Sequence, residues 1–345
     1  MQGSTFEDPF EPVTTTATEI SNQTVGRINV SLPLPGGADV YVQRAVAVIA
    51  FVGTAANGLI LYALLASKQH KKHPLIFNQN LLDFVSCFFL AVMTSVHLSD
   101  VYLSGTSGYW LCLLLLNDGC SWGPFLGSLI NLAAITIERY MKVVHSVWTK
   151  KKLRNWMIYM AMAFAWIGGS VTAAVVMIHT TRVVNGNCFA IFWKSHSGRM
   201  AFGIWYFLSF YVVILTILFC CYGRILMVAR LQTSVMVAHS GPGSMTTAQI
   251  QSNKIQISII KTMMLVSLLF VVTYTPIFVQ ILIRNVSLKP IPRTNALLAA
   301  MFMGYLYNCI NPFIYATKFD PVKRVLLHLI PCKKTTQPGE SAGMT

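Results

Sequence analysis

Seven long apolar runs separated by short polar stretches pattern the chain. They lie near Tyr41 to Ala66, Leu75 to Val101, Tyr109 to Val143, Trp156 to Ile178, Met200 to Met227, Ile257 to Ile283 and Ala296 to Ala316. A helix crosses a bilayer with about 20 mostly apolar residues, whereas a strand of a membrane barrel needs about 10. Hydrocarbon offers the backbone no partners, so runs of this length are expected to be helices that satisfy their own hydrogen bonds. The pattern therefore predicts an all-α membrane protein, a seven-transmembrane helix bundle over residues 41–316. Beyond the seventh run, Val322, Val325, Leu326, Leu329 and Ile330 recur at helical spacing with Lys323 and Arg324 between them. That spacing predicts a short amphipathic cytoplasmic helix on the membrane surface, over residues 317–331.

Residues 1–40 form a Thr/Pro-rich stretch without a continuous apolar core, and are expected to be a disordered extracellular tail with no signal peptide. Residues 332–345 are left as a cytoplasmic tail. The inner loop from Arg230 to Lys254 carries Ser240-Gly241-Pro242-Gly243-Ser244, a flexible composition.

Composition agrees with a membrane protein: 54% of residues are hydrophobic and 11% charged, against about 25% charged in a soluble domain. A net charge of +15 would suit a nucleic-acid partner, but its placement does not. Lys68, Lys71, Lys72, Lys142, Lys150, Lys151, Lys152 and Arg154 fall on one side of the membrane with the basic tail; fewer cations fall on the other. Cytoplasmic loops carry the excess of Lys and Arg. The bias predicts a multi-pass plasma-membrane protein with its N-terminus extracellular and its C-terminus cytoplasmic, in contact with membrane lipid and with no nucleic acid. The sequons at Asn22, Asn29 and Asn285 all fall outside on this topology, as glycosylation requires.

Of eight cysteines, Cys87, Cys220, Cys221 and Cys309 lie within the apolar runs and read as small apolar filler. Cys112 and Cys188 face the oxidising side, where a bridge can persist, with Cys120 a rival partner. Cys332 follows the amphipathic segment and is either palmitoylated or an unmodified tail cysteine. No CxxC pair or Cys/His cluster with zinc spacing occurs in the sequence.

Glu138-Arg139-Tyr140 closes the third run and Asn311-Pro312-Phe313-Ile314-Tyr315 the seventh. With Asn57-Gly58 in the first run, Asp83 in the second and Trp166 in the fourth, the chain resembles a rhodopsin-like (class A) G-protein-coupled receptor of a divergent, orphan-type branch. The resemblance covers roughly Val42 to Cys332. It implies a cell-surface receptor that passes the signal of an unknown extracellular ligand to a heterotrimeric G protein, and in some members to arrestin, by outward movement of the sixth helix. Arg139 would pair with Glu138 at rest and turn to the G protein on activation. Family members often complete that clamp with an acid on the sixth span; Gln256 stands here. A looser resting state and raised ligand-free activity are expected, since a lost ion pair of order 1 kcal/mol shifts a two-state equilibrium several-fold.

The same resemblance assigns further roles. Tyr222 and Tyr315 would meet through water in the active state; interfacial aromatic anchoring is the plainer alternative. Phe270 and Pro276 would form the bending region of the sixth span, with Tyr274 in place of the usual Trp, and Pro312 would bend the seventh. Asp83, Ser128 and Asn311, with Asn57 nearby, would hold a sodium ion or form a neutral hydrogen-bonded cluster. Tyr307 stands where the family often has Asn. Cys112 would bridge to Cys188, although it lies 27 residues before Arg139, slightly farther than the family usually has. Span five has Ile214 in place of its usual proline. Asp118, Ser121, Trp122, Tyr274 and Tyr305 would line the ligand pocket. Ser121 replaces the Asp of amine receptors and Tyr305 the retinal lysine of opsins, so neither ligand is expected. A basic outer rim, including Arg182, Lys194, Arg199, Arg284, Lys289 and Arg293, would attract an anionic ligand or simply be solvated.

A polytopic transporter or channel is the rival, but it would need paired broken helices or several buried charges, and only Asp83 and Asp118 lie deep. An enzyme is not expected: no nucleophile, metal cluster or phosphate loop is apparent in the sequence.

Overall fold

The computed structural model describes residues 38–97, 102–117, 119–184, 186–189, 195–239, 247–288, 294–318 and 320–329. Among them are seven helical segments long and apolar enough to cross a membrane. Span one is Ala38–Ala66 and span two Pro74–His97. Span three covers Gly105–Val144, span four Asn155–Thr180 and span five His196–Val228. Span six lies within Thr247–Val286 and span seven is Asn295–Lys318. The bundle inverts the pattern of a soluble domain. Large apolar side chains such as Phe51, Phe164, Ile167 and Phe219 stand on its outside, while Asn57, Asn78, Gln79, Asp83, Ser128, Asn131 and Asn311 are buried within. Such an arrangement is stable when the surrounding solvent is lipid.

Spans three and four touch backbone to backbone, because Gly123 and Gly127 on one face Gly169 on the other. Small residues at such crossings let helices in lipid gain close dispersion contact. Span three is not one regular helix. Gly105–Leu111 gives way to a π-helical turn at Cys112–Leu116, Asn117 leaves helical geometry at φ −101°, and α-helix resumes at Gly119. The turn and break take up the extra chain that sets Cys112 slightly far from Arg139. Span five carries a second π turn, Leu208–Val212, just before Ile214. The local unwinding that a proline would impose is thus present without one.

Between spans four and five, β1 (Arg182–Val184) and β2 (Asn187–Phe189) form an antiparallel hairpin with Val183 opposite Cys188. Cys188 is bridged to Cys112 with a Cα separation of 5.4 Å, tying the hairpin to the start of span three. Cys120 is a free thiol. Beyond span seven, Asp320–Leu329 is a separate helix. It buries Val322 fully, packs Val325 and Leu326 against the bundle core, and leaves Lys323 and Arg324 exposed.

Candidate functional site

At the end of span three remote from the disulfide, Arg139 is only 2% exposed and Glu138 6%. Charges so placed need partners. Glu138 Oε1 accepts from Lys142 Nζ at 2.6 Å, one helical turn on. The Arg139 Nε stands 3.6 Å from Glu138 Oε2, an ion pair too long for a hydrogen bond. Arg139 is held from another side: its Nη2 donates to His73 Nδ1 at 3.3 Å. A guanidinium can only donate, so the imidazole accepts at Nδ1 and must be neutral. Burial, then the charge of Arg139, push His73 down to about 4 from 6.5, which keeps it neutral at cytosolic pH. Sequence reasoning missed His73. Its one signal was a place immediately before Pro74 at the start of span two, and spacing alone does not aim a loop side chain at span three. The side chain of Gln256 lies outside the described residues.

Around Arg139, Tyr140 has its hydroxyl 3.3 Å from His145 Nε2. Tyr222 and Tyr315 are buried, and neither hydroxyl has a hydrogen-bond partner among the described residues. Phe270 is fully buried and stacks near Tyr211, Tyr274 and Tyr307. Pro276 and Pro312 both sit inside continuous helix. Pro276 has no N–H for the carbonyl of Val272. Beside it, the Thr275 hydroxyl bonds the carbonyl of Val271 and meets the Tyr211 hydroxyl at 2.6 Å. The π turn of span five thus touches the proline turn of span six.

Midway through the bundle, Asp83 is fully buried. Its Oδ1 accepts from Ser128 Oγ at 2.6 Å and its Oδ2 from Asn311 Nδ2 at 2.9 Å. Asp83, Ser128 and Asn311 therefore meet, but Asn57 does not join them. Its amide instead donates to the carbonyls of Gly53 and Asn308, linking span one to span seven. Gln79, which was not singled out in the sequence, fills that side with its Nε2 3.5 Å from each Asp83 oxygen.

A family model described as seven-transmembrane receptor (rhodopsin family) matches residues 56–315, which include Asp83, the Glu138-Arg139-Tyr140 end of span three and the Asn311-Pro312 turn of span seven. The chain belongs to the rhodopsin family of seven-transmembrane receptors. Among curated proteins it is similar to lysophosphatidic acid receptor 3 of Rattus norvegicus, 25% identical over 63% of this chain and 59% of that protein. The same receptor of Mus musculus is 25% identical over 63% and 58%, and that of Homo sapiens 24% over 65% and 60%. The chain thus spans about three fifths of the length of the curated relatives it matches.

Within this rhodopsin-family bundle, the residues expected to line a ligand pocket divide among three places. Ser121 exchanges hydrogen bonds with Ser86 of span two. Tyr305 packs with Phe302 against Val46, Ala50, Leu90 and Ala91 of spans one and two. Trp122 and Tyr274 join an aromatic cluster: Trp122 lies against Phe125 and Tyr206, Phe125 against Tyr274, and Tyr206 against Phe278. The Tyr274 hydroxyl donates to Asn308 Oδ1 at 3.3 Å. Rings, rather than an open cavity, occupy the space between spans three, five and six at this level. Two shallow apolar grooves, about 420 Å³ between spans one and two and about 320 Å³ between spans one and seven, open on the outside of the bundle.

At the disulfide end, Arg182 donates to the carbonyl of Thr181 and Arg199 to that of Ser287. Asn285 closes span six with its amide nitrogen donated to Ile281 O at 2.8 Å. Asp118, Lys194, Lys289, Arg293, Asn22, Asn29 and Cys332 lie outside the described residues.

Proposed function

We propose that this protein is a plasma-membrane receptor that transmits an extracellular signal to a heterotrimeric G protein, with its N-terminus outside and the Arg139 end of the bundle in the cytosol. The observation that carries the reading is Arg139: a permanent charge buried at a helix end, held by one side-chain hydrogen bond to a neutral His73 and a long ion pair to Glu138. A charge held so lightly is suited to exchange its partners when the sixth span moves away. The unpartnered hydroxyls of Tyr222 and Tyr315 supply groups that a rearranged inner end can engage, directly or through water. Arrestin is a further cytosolic partner of the same surface. Since the similar curated proteins are named for lysophosphatidic acid, and Arg182, Arg199 and Arg284 lie at the outer end, an anionic lysophospholipid is the first ligand class to test.

The test is guanine-nucleotide exchange in membranes carrying the full chain, across a panel of G proteins, with and without lysophosphatidic acid. Exchange above empty membranes that disappears in Arg139→Ala supports the reading. Exchange equal to empty membranes with every G protein and ligand tried, or solute flux that depends on this chain, overturns it.

A further inference from the structure

Trp166, Asn78, Asn131, Gln79 and Asp83 form an unbroken hydrogen-bonded chain through the middle of the bundle. Trp166 Nε1 donates to Asn78 Oδ1 at 2.9 Å, and Asn78 Nδ2 to Asn131 Oδ1 at 2.9 Å. Asn131 Nδ2 then donates to Gln79 Oε1 at 2.8 Å. Amide oxygen and nitrogen are hard to tell apart by shape, but here chemistry decides. An indole N–H can only donate, so the atom it meets on Asn78 is oxygen, and each following amide must point the same way. A second anchor agrees: Asn131 Nδ2 also donates to the carbonyl of Leu75 at 3.0 Å, which can only accept. Gln79 is therefore obliged to turn its NH₂, and not its oxygen, toward Asp83.

Three oxygens converge on that nitrogen. Gln79 Nε2 lies 3.5 Å from Asp83 Oδ1, 3.5 Å from Asp83 Oδ2 and in close hydrogen-bond contact with Ser128 Oγ. These are the oxygens a hard cation would have to share in order to bind at Asp83. An amide nitrogen offers such an ion no lone pair, and its hydrogens carry the partial positive charge the ion would bring. Ser128 and Asn311 also spend donors on the carboxylate. Asn311 Oδ1, buried without a partner among the described residues, is one remaining oxygen, and one oxygen does not make a cage for an ion that takes several. The residues present therefore do not fit the sodium ion that the family resemblance suggests.

We infer that the Gln79 side-chain amide takes the cation position at Asp83, so that this receptor's core is independent of sodium, with Trp166 and Asn131 as the positioning residues that hold the amide's orientation. The inference concerns the ion site alone and stands or falls separately from the G-protein reading.

The test uses the purified full chain in lipid nanodiscs. Thermal unfolding midpoints are compared in sodium chloride and in choline chloride at equal ionic strength, and radioactive sodium binding is measured on the same samples. The wild type is expected to melt at one temperature in both salts and to bind no more sodium than Asp83→Asn. Gln79→Leu and Gln79→Ala, which remove the amide and leave the carboxylate, are expected to gain a saturable sodium-specific rise of a few degrees, abolished by adding Asp83→Asn. Saturable sodium binding by the wild type that is lost in Asp83→Asn overturns the inference, whether or not the Gln79 variants fold. Folded Gln79 variants that gain no sodium dependence overturn it as well, because another group would then be excluding the ion.

Discussion

Arg139 Nη2 donates to His73 Nδ1 at 3.3 Å, whereas the Arg139–Glu138 contact is 3.6 Å and Glu138 is drawn closer to Lys142 at 2.6 Å. The group restraining the arginine of span three thus comes from the start of span two. A neutral imidazole is a weaker restraint than a carboxylate, which fits the looser resting state expected from Gln256.

His73→Ala removes that hydrogen bond and leaves Arg139 with the long Glu138 contact. Losing a charge-assisted bond of about 1.5–3 kcal/mol, partly replaced by water, is expected to raise ligand-free nucleotide exchange several-fold. His73→Asn, which can still offer an oxygen to the guanidinium, is expected to stay near wild type. Equal basal exchange in wild type and His73→Ala would contradict the role given to this pair.

Acid is expected to destabilise the cytosolic end. Burial and the facing charges of Arg139, Lys142 and Lys72 hold His73 at about 4, below its ordinary 6.5, against a smaller opposing effect of Glu138. The unfolded chain therefore binds the proton first, and stability falls as pH drops from 6.5 toward about 4, with no contribution from this group above that window. Allowing for partial exposure, the loss between pH 7 and pH 5 is of order 1 kcal/mol. Melting midpoints across this range should fall more steeply for wild type than for His73→Asn.

Gly169→Ala is expected to pry spans three and four apart. A Cβ there would lie 2.4 Å from Gly123 O and 2.5 Å from Gly127 N, and backbone cannot swing aside as a side chain can. A cost of about 1–3 kcal/mol is expected from such overpacking, seen as a lower melting midpoint. Gly223→Ala, where an added Cβ meets nothing within 4 Å, is the control and should melt at or slightly above wild type.

Gly53 makes room for two thiols from other helices. A Cβ there would stand 2.4 Å from Cys309 Sγ and 2.8 Å from Cys87 Sγ, themselves 3.9 Å apart. Gly53→Ala should lower stability, and adding Cys309→Ala should recover much of the loss, because the nearer sulfur is gone. A double-mutant cycle with additive effects would contradict this coupling.

Tyr222→Phe and Tyr315→Phe should separate stability from signalling. Each hydroxyl is buried without a partner among the described residues, so its removal should leave the melting midpoint unchanged or raise it. If these hydroxyls are engaged only in the active arrangement, both variants should lose agonist-driven exchange. Wild-type responses from both variants would reduce them to packing groups.

Much of the architecture was legible along the chain. Apolar runs of bilayer length announce the seven spans, and the helical spacing of Val322, Val325 and Leu326 announces the helix after span seven. These are local signals, read within one segment. The break at Asn117 was visible only as a long spacing between Cys112 and Arg139. The hairpin carrying Cys188 had no strand pattern long enough to notice.

Sequence alone determined the bundle, the family and the placing of Asp83, Arg139 and Asn311, because span length and motif spacing are written in one dimension. Tertiary structure alone decided which partners those groups meet. His73 turns to Arg139, Gln79 faces Asp83, Asn57 goes to span seven, and aromatic rings fill the space where a pocket was expected. In lipid each buried polar atom must find a partner on a neighbouring helix, and that choice depends on helix rotation and close packing, which no single segment encodes.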